Sequence, residues 1–419
     1  MHVCHVNNFL YPRGGSERVM LDEAALLRRR GHTVSFFGRR FPQDTVGDHA
    51  EYYPTGVELE QLSSLRKLQL LPRLIYNRET YRRGVHFLQA TAPDVLHAHN
   101  IYGGLTTAVL DAAARCARPV VMTLHDYKLI CPSYLALDHG RVCQACDGGR
   151  FYQCLFRRCH KGSLVASAVY GAEAYFTTWL HKYAPVHRFL CPSRFLRERL
   201  LANGIAPERA IYLPNAVDAA QCTPAVGGGE YVLYVGRLSH EKGVMTLVRA
   251  VAPLAIPVRL VGTGPVRPEL AAFIDAHGLG ERVRLLGYQT GATLAELYRG
   301  AALCVTPSEW YENAPLAVLE AFAYGKPVLG THLGGIPELV TEGHTGRLVA
   351  PGQVEALREA IKALWAERAA LGDMGQQARA LVLARFAPDQ HIAALEGIYH
   401  DALPASTARD AAVSAPLPG

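Results

Sequence analysis

Thr306–Tyr324 reads TPSEWYENAPLAVLEAFAY. Just before it ends, Cys304-Val305 closes an apolar run, the pattern of a parallel strand buried on both faces. A polar loop follows, then Asn313-Ala314-Pro315. Asn is a favoured N-cap, and Pro is tolerated in a first helical turn. Leu316, Leu319 and Phe322 then recur at helical spacing. The stretch is a strand, a loop and a helix, with Glu312 just before the helix and Glu320 about two turns into it. A helix N-terminus exposes unpaired N–H groups and a partial positive charge, which suits a phosphate. A carboxylate on either side of that phosphate can accept hydrogen bonds from hydroxyls, one gripping a ribose and the other a sugar. The plain alternative is a capping Glu followed by a solvated helix Glu.

Working outward, 419 residues with 49% hydrophobic content predict two domains, each with a sizeable core. No apolar run is long enough to span a bilayer. The first residues, MHVCHVNNFL, lack the basic and long apolar regions of a signal peptide and read as a first strand. The expectation is a cytoplasmic protein, whose cysteines are free, metal-bound or catalytic rather than disulfide-bonded. A net charge of +6 fits a phosphate-containing ligand or an anionic membrane surface and demands neither. There is no nucleic-acid motif.

Residues 1–213 read as one α/β domain, 214–229 as a linker, 230–385 as a second α/β domain, 386–403 as a helix crossing back, and 404–419 as a disordered tail. The first domain opens with a strand, a loop ending in Gly14-Gly15, and a helix from Ser16 to Arg30, a backbone cradle for phosphate or another close-approaching ligand. It is not the GxGxxG of dinucleotide sites. In the second domain, strand Tyr231–Val235 runs into Gly236-Arg237-Leu238-Ser239-His240-Glu241-Lys242-Gly243. Arg237 and Lys242 bracket a turn at the crevice edge, where two cations can hold a diphosphate and neutralise it as it leaves. His97 and His99 alternate along one strand end, and His125-Asp126 follows another. Glu60–Gln89 reads as one basic amphipathic helix, either lying on anionic lipid or packed on the domain with its basic face solvated.

Half of the ten cysteines crowd into Cys131–Cys159. Cys143 and Cys146 form a CxxC, with Cys154 and Cys159 close behind. Four thiolates so placed suit a tetrahedral structural zinc; a reduced loop or a disulfide pair are the alternatives.

Taken together, three strings resemble the retaining glycosyltransferases of family 4. They are Glu312 and Glu320 with Gly325-Lys326-Pro327-Val328 after them, GRLSHEKG at 236–243, and Gly14-Gly15-Ser16-Glu17-Arg18. The resemblance implies the GT-B fold, two Rossmann-like βαβ domains facing each other across a cleft. It implies a nucleotide-sugar donor on the second domain and a glycan, lipid-linked glycan or small-molecule acceptor entering from the first, as in polysaccharide biosynthesis. By the same resemblance Gly14 and Gly15 lie against donor phosphate and acceptor. Arg237, Lys242 and the amides of Leu316 and Ala317 stabilise the diphosphate, and Glu320 binds ribose. His125 and Glu312 act at the sugar as the catalytic pair. Where relatives carry His-x-His followed by an acid, this chain has His97-Ala98-His99-Asn100. Pro315 stands where many relatives have Gly, so one amide donor is missing. No Asp-x-Asp occurs, so transfer is expected to need no divalent cation. The rival readings are a sugar-nucleotide epimerase on the same scaffold and a non-catalytic sugar-nucleotide-binding protein. Peripheral contact with the inner membrane face is expected only if the basic helix lies on lipid.

Overall fold

A computed structural model of the chain describes residues 1–56 and 64–404. Its first half contains β1 (His2–Val6), β2 (Thr33–Phe37), β3 (Val95–Ala98), β4 (Val120–Thr123), a hairpin of β5 (Leu137–Asp138) and β6 (Arg141–Val142), β7 (Val186–Cys191) and β8 (Ala210–Tyr212). The helices between them are α1 (Gly15–Arg29), α2 (Ser64–Ile75), α3 (Arg78–Thr91), α4 (Ala108–Arg115), α5 (Tyr152–Arg157), α6 (Leu164–Trp179) and α7 (Arg194–Ala202). The second half contains β9 (Tyr231–Val235), β10 (Val258–Val261), β11 (Val283–Gly287), β12 (Ala301–Thr306), β13 (Val328–Thr331) and β14 (Gly346–Val349). Around them stand α8 (Val244–Val251), α9 (Arg267–Ala276), α10 (Gly291–Gly300), α11 (Leu316–Ala323), α12 (Ile336–Leu339), α13 (Val354–Ala366) and α14 (Leu371–Arg385), before α15 (Pro388–Ala402).

Hairpin aside, the strands form two six-stranded sheets of order β2-β1-β3-β4-β7-β8 and β11-β10-β9-β12-β13-β14. Every pairing within them is parallel. The central strands are buried along almost their whole length, His5 and His97 included, because helices cover both faces. The α/β class and the paired Rossmann-like units expected from the sequence are the observed architecture.

After α14 the chain returns to the first half. Ile392, Leu395 and Tyr399 of α15 sit in the first core, and Glu396 takes Arg30 and His32. Val217 N–H donates to Phe386 C=O at 3.0 Å, so the two connections between the halves run side by side.

The single helix expected over Glu60–Gln89 is two. It breaks at Tyr76-Asn77, where the Asn77 side chain accepts from the N–H groups of Glu79 and Thr80 and starts α3. The part of that expectation over residues 60–63 lies outside the described residues, as does the tail from 405 onward.

Candidate active site

From the middle of each sheet the chain departs in opposite directions: β2 and β3 flank β1, and β10 and β12 flank β9. Loops part at such a switch point and leave a crevice at the carboxyl ends of the strands. Gly14 and Gly15 follow β1, His125 follows β4, Arg237 and Lys242 follow β9, and Glu312 and the start of α11 follow β12. Topology thus delivers the sequence-predicted residues to two crevices.

Gly243 has φ +65°, and a Cβ there would stand 1.9 Å from Pro307 C=O. Only glycine fits this approach, which lays the β9 loop on the β12 loop. Lys242 Nζ therefore reaches Glu312 Oε1 at 2.7 Å, and Ser308 Oγ donates to the same oxygen at 2.6 Å. Gly334, at φ +62°, permits a similar approach from the other side, and Gly335 N–H donates to Glu312 C=O at 2.7 Å. Glu312 is 4% exposed. Burial alone would raise its carboxyl, but the Lys242 charge and the bonds from Lys242 and Ser308 outweigh that and hold it below the usual carboxylate range. Glu312 is an ionised acceptor with a fixed position. Arg237 is exposed, and its guanidinium has no hydrogen bond or ion pair among the described residues. It is the cation open to a ligand.

The Asn313 cap does not form. Pro315 is the N-cap of α11, in extended conformation, and no side chain caps the helix. The N–H groups of Leu316 and Ala317 find no backbone acceptor among the described residues, and a Cβ on Gly15 would stand 3.7 Å from Leu316 Cδ1. Asn313 instead ties the halves together. Its Nδ2 donates to Leu124 C=O at 2.8 Å, and its Oδ1 accepts from Ser193 Oγ at 2.7 Å. Glu338 does the same nearby, accepting from the first two N–H groups of α7, Arg194 and Phe195.

Glu320 Oε2 accepts from the Tyr298 hydroxyl at 2.7 Å, and Oε1 pairs with the Arg18 guanidinium of α1. Arg18 thus crosses the cleft to the residue expected to hold ribose. Arg18 stands in the Gly-Gly string, and local spacing carries no signal for a partner so far along the chain.

His125 is not alone. Its Nε2 lies 3.0 Å from His99 Nδ1, and His99 Nε2 lies 3.0 Å from His5 Nδ1. His97 is held by the Thr123 hydroxyl and the Tyr399 hydroxyl, each at 2.7 Å. Burial pulls His125 down to about 4 and His5 to about 3, and takes His97 and His99 well below the usual imidazole range. The rings are therefore neutral, each with one donor and one acceptor nitrogen. His5 Nε2 is buried without a partner. Since an orphaned donor is the rarer fault, the proton sits on His5 Nδ1, then on His99 Nδ1. His125 then accepts at Nε2 and carries its proton on Nδ1.

These depressed imidazoles predict acid sensitivity. Their stabilisation is complete above the unfolded value of 6.5 and is lost as pH falls through about 4 for His125. The thermal midpoint should drop steeply on acidification below 6.5. A midpoint that holds unchanged down to about 4 would mean that these rings titrate normally.

The site can thus place an anion between Arg237, Lys242 and the α11 amides, with hydroxyl acceptors at Glu320 and Glu312 and a neutral donor at His125. Residues 13–221 match the family model described as Glycosyltransferase Family 4, and residues 221–381 that described as Glycosyl transferases group 1. The alpha-D-kanosaminyltransferase of Streptomyces kanamyceticus is 30% identical over 175 residues, 41% of this chain and 45% of its own length. This chain therefore matches about half of that curated relative. The fold superposes on sucrose-phosphate synthase from Thermosynechococcus elongatus with TM-score 0.70, at 19% identity and covering 96% of this chain and 98% of the other. It also superposes on HepE of Anabaena in complex with UDP, with TM-score 0.64, 20% identity and coverage of 95% and 99%. With consecutive models meeting at residue 221, and the GT-B architecture on both sides of it, the chain belongs to the family 4 glycosyltransferases.

Proposed function

We propose that the protein moves a sugar from a nucleotide-sugar donor to an acceptor hydroxyl, with retention of configuration. The observation that carries this reading is the convergence of Arg237, the Lys242–Glu312 pair, Glu320 and the unpaired amides of Leu316 and Ala317 on one cleft. The bond to be broken joins the anomeric carbon to a diphosphate, and charge grows on the departing phosphate. Arg237, Lys242 and the two amides are arranged before the reaction to meet that charge, which costs no reorganisation when it appears. They take the electrostatic role that a divalent ion would otherwise fill, so none is required. Ribose hydroxyls displace Arg18 from Glu320. Glu312, already ionised, and His125 Nδ1–H orient the donor sugar. Glu312 is engaged by Lys242 and Ser308, which favours an orienting role over attack on the anomeric carbon.

The acceptor is a glycan, a lipid-linked glycan or a small molecule, and polysaccharide biosynthesis on the cytoplasmic side is the setting this suits. The test is incubation with UDP-, GDP-, ADP- and dTDP-sugars and an acceptor panel, with and without a chelator, following free nucleotide and the anomeric configuration of the product. Nucleotide release that depends on acceptor and not on Mg²⁺ or Mn²⁺ is expected. Conversion of one nucleotide-sugar into another would favour the epimerase, and binding without turnover the non-catalytic protein.

No helix among the described residues is long and apolar enough to cross a membrane. For peripheral contact, α5 and α6 offer a better surface than the basic stretch expected to supply it. Glu173 is the one charged residue of α6, and it is buried against Lys128. Phe156 is 75% and Trp179 72% exposed; Leu164 and Val165 at the start of α6 and Leu180 just past its end are exposed too, with Arg157 and Arg158 at the end of α5. Aromatic rings with a basic rim suit an anionic lipid interface. Sedimentation with anionic vesicles should be lost in the double variant Phe156→Ala, Trp179→Ala. Absence of the wild-type protein from the vesicle pellet would dismiss this surface.

A further inference from the structure

Residues 131–162 leave the first half after β4 and rejoin it at α6, and they have little to hold themselves together. β5 and β6 are two residues long and α5 six. The small core of the segment is Cys146, Phe151 and Cys154 against Ala174, with Cys159 and Tyr175 beside it. Thiols occupy the positions where such a core would carry Leu or Ile. The backbone is also strained. Tyr134, Ala136, His139, Arg158 and Lys161 are five of the nine non-glycine residues with positive φ among those described. Left-handed backbone costs on the order of 1–2 kcal/mol per such residue. Strain of this kind persists only where something else over-determines the structure.

Five free thiols, Cys131, Cys143, Cys146, Cys154 and Cys159, line one cavity of about 10 Å³. Within the Cys143–Cys146 turn, the Ala145 N–H donates to Cys143 Sγ at 3.4 Å. Arg157 and Arg199 line the same cavity and set positive charge beside the sulfurs. Cys131 Sγ is engaged with Ser133 Oγ at 3.2 Å, which leaves four sulfurs for an ion.

We propose that Cys143, Cys146, Cys154 and Cys159 hold one structural zinc. Four thiolates complete a tetrahedral shell and leave no position for water or substrate. With Zn–S near 2.3 Å, the sulfurs would stand about 3.8 Å apart. No three of these sulfurs are gathered within 4.8 Å of one another. Among the described residues the ligating set so gathered is His5, Glu23, His97 and His99, whose ring nitrogens are largely taken up by the hydrogen bonds around His125. Binding therefore draws the Cys143–Cys146 turn toward α5, and the ion contributes the folding energy that the small core lacks.

The turn has a second contact. Gln144 Nε2 donates to the Tyr311 hydroxyl at 2.8 Å, across the cleft and next to Glu312. Asp147, just past the turn, pairs with Arg199 of α7 at 2.7 Å. Zinc would thus fix the tip that touches the donor loop. This consequence rests on the proposed function, whereas the metal site does not.

Elemental analysis of the full chain, purified without a histidine tag and under reducing conditions, is the direct test. About one zinc per chain is expected, falling toward zero in Cys146→Ser and Cys154→Ser and unchanged in Cys131→Ser. Should those variants fail to fold, cobalt(II) added to zinc-stripped wild-type protein should give the visible bands of a tetrahedral tetrathiolate, erased by zinc. Metal content near zero with all five thiols reactive in the native state overturns the site. So does a disulfide among these cysteines in freshly purified protein, or zinc retained by folded Cys146→Ser. Gln144→Ala should keep its zinc and bind nucleoside diphosphate normally, yet turn over more slowly. Unchanged turnover would overturn the link to the donor loop.

Discussion

Arg237→Ala should lower kcat/KM by about 10²–10³-fold with the fold intact, the cost of removing one preorganised charge contact to a developing anion. Arg237 is exposed at the end of β9 with no hydrogen bond or ion pair of its own among the described residues, so its removal leaves nothing behind uncompensated. Lys242→Ala should lose a similar factor but with a second signature. Glu312 would keep Ser308 and lose its cation while only 4% exposed. Breaking a buried pair from one side costs about 3–5 kcal/mol, and Lys242, being partly exposed, should fall below that range. A lowered thermal midpoint is therefore expected for Lys242→Ala and not for Arg237→Ala. Adding Glu312→Gln to the lysine variant should restore much of the midpoint and none of the rate. Steady-state kinetics with thermal melts would separate these effects, and near-wild-type turnover in both single variants would falsify the diphosphate assignment.

Glu320→Ala should weaken binding of a nucleoside diphosphate about 10- to 100-fold, since hydrogen bonds to a charged group contribute about 1.5–3 kcal/mol each. Part of the wild-type affinity is already spent on displacing Arg18, whose ion pair with Glu320 spans the cleft. Arg18→Ala should consequently leave affinity equal or higher. Glu312→Ala, by contrast, should bind the nucleotide nearly as wild type does and fail in transfer, because Glu312 lies on the loop before α11, where the proposed function puts the sugar end. Calorimetry with the nucleoside diphosphate alone decides. Equal affinity in Glu320→Ala and Glu312→Ala would show that the division of roles is wrong.

What the sequence determined by itself was local. Cys304-Val305, the polar loop and the recurrence of Leu316, Leu319 and Phe322 are read over a few neighbouring residues, and β12, its loop and α11 stand where that pattern puts them. The repetition of such units implied two parallel sheets, and the strand ends implied two crevices. The GRLSHEKG string placed Arg237 and Lys242 at the end of β9; two basic residues at a turn read by themselves as solvated, and the diphosphate reading came from the resemblance of the whole string.

Tertiary structure decided the partners. Asn313 has the composition of an N-cap, but Leu124 and Ser193 from the other half outcompete the α11 amides for its side chain. The apolar-basic periodicity of residues 60–89 runs straight through Asn77, but Asn77 N–H donates to Thr106 Oγ1 and its Nδ2 to Gly104 C=O, each at 3.0 Å, and so fixed its side chain caps α3 and the helix breaks there. His125 looked like a single catalytic ring; His99 on one strand end and His5 on another make it the terminus of a neutral chain, because β1, β3 and β4 are adjacent in the sheet. Arg18 meets Glu320 for a similar reason, since the two crevices face each other and bring α1 to α11. Periodicity and capping act within about four residues along the chain, so sequence carries them openly. Pairing across a cleft depends on which strand lies beside which and how the halves meet, and no local spacing encodes that.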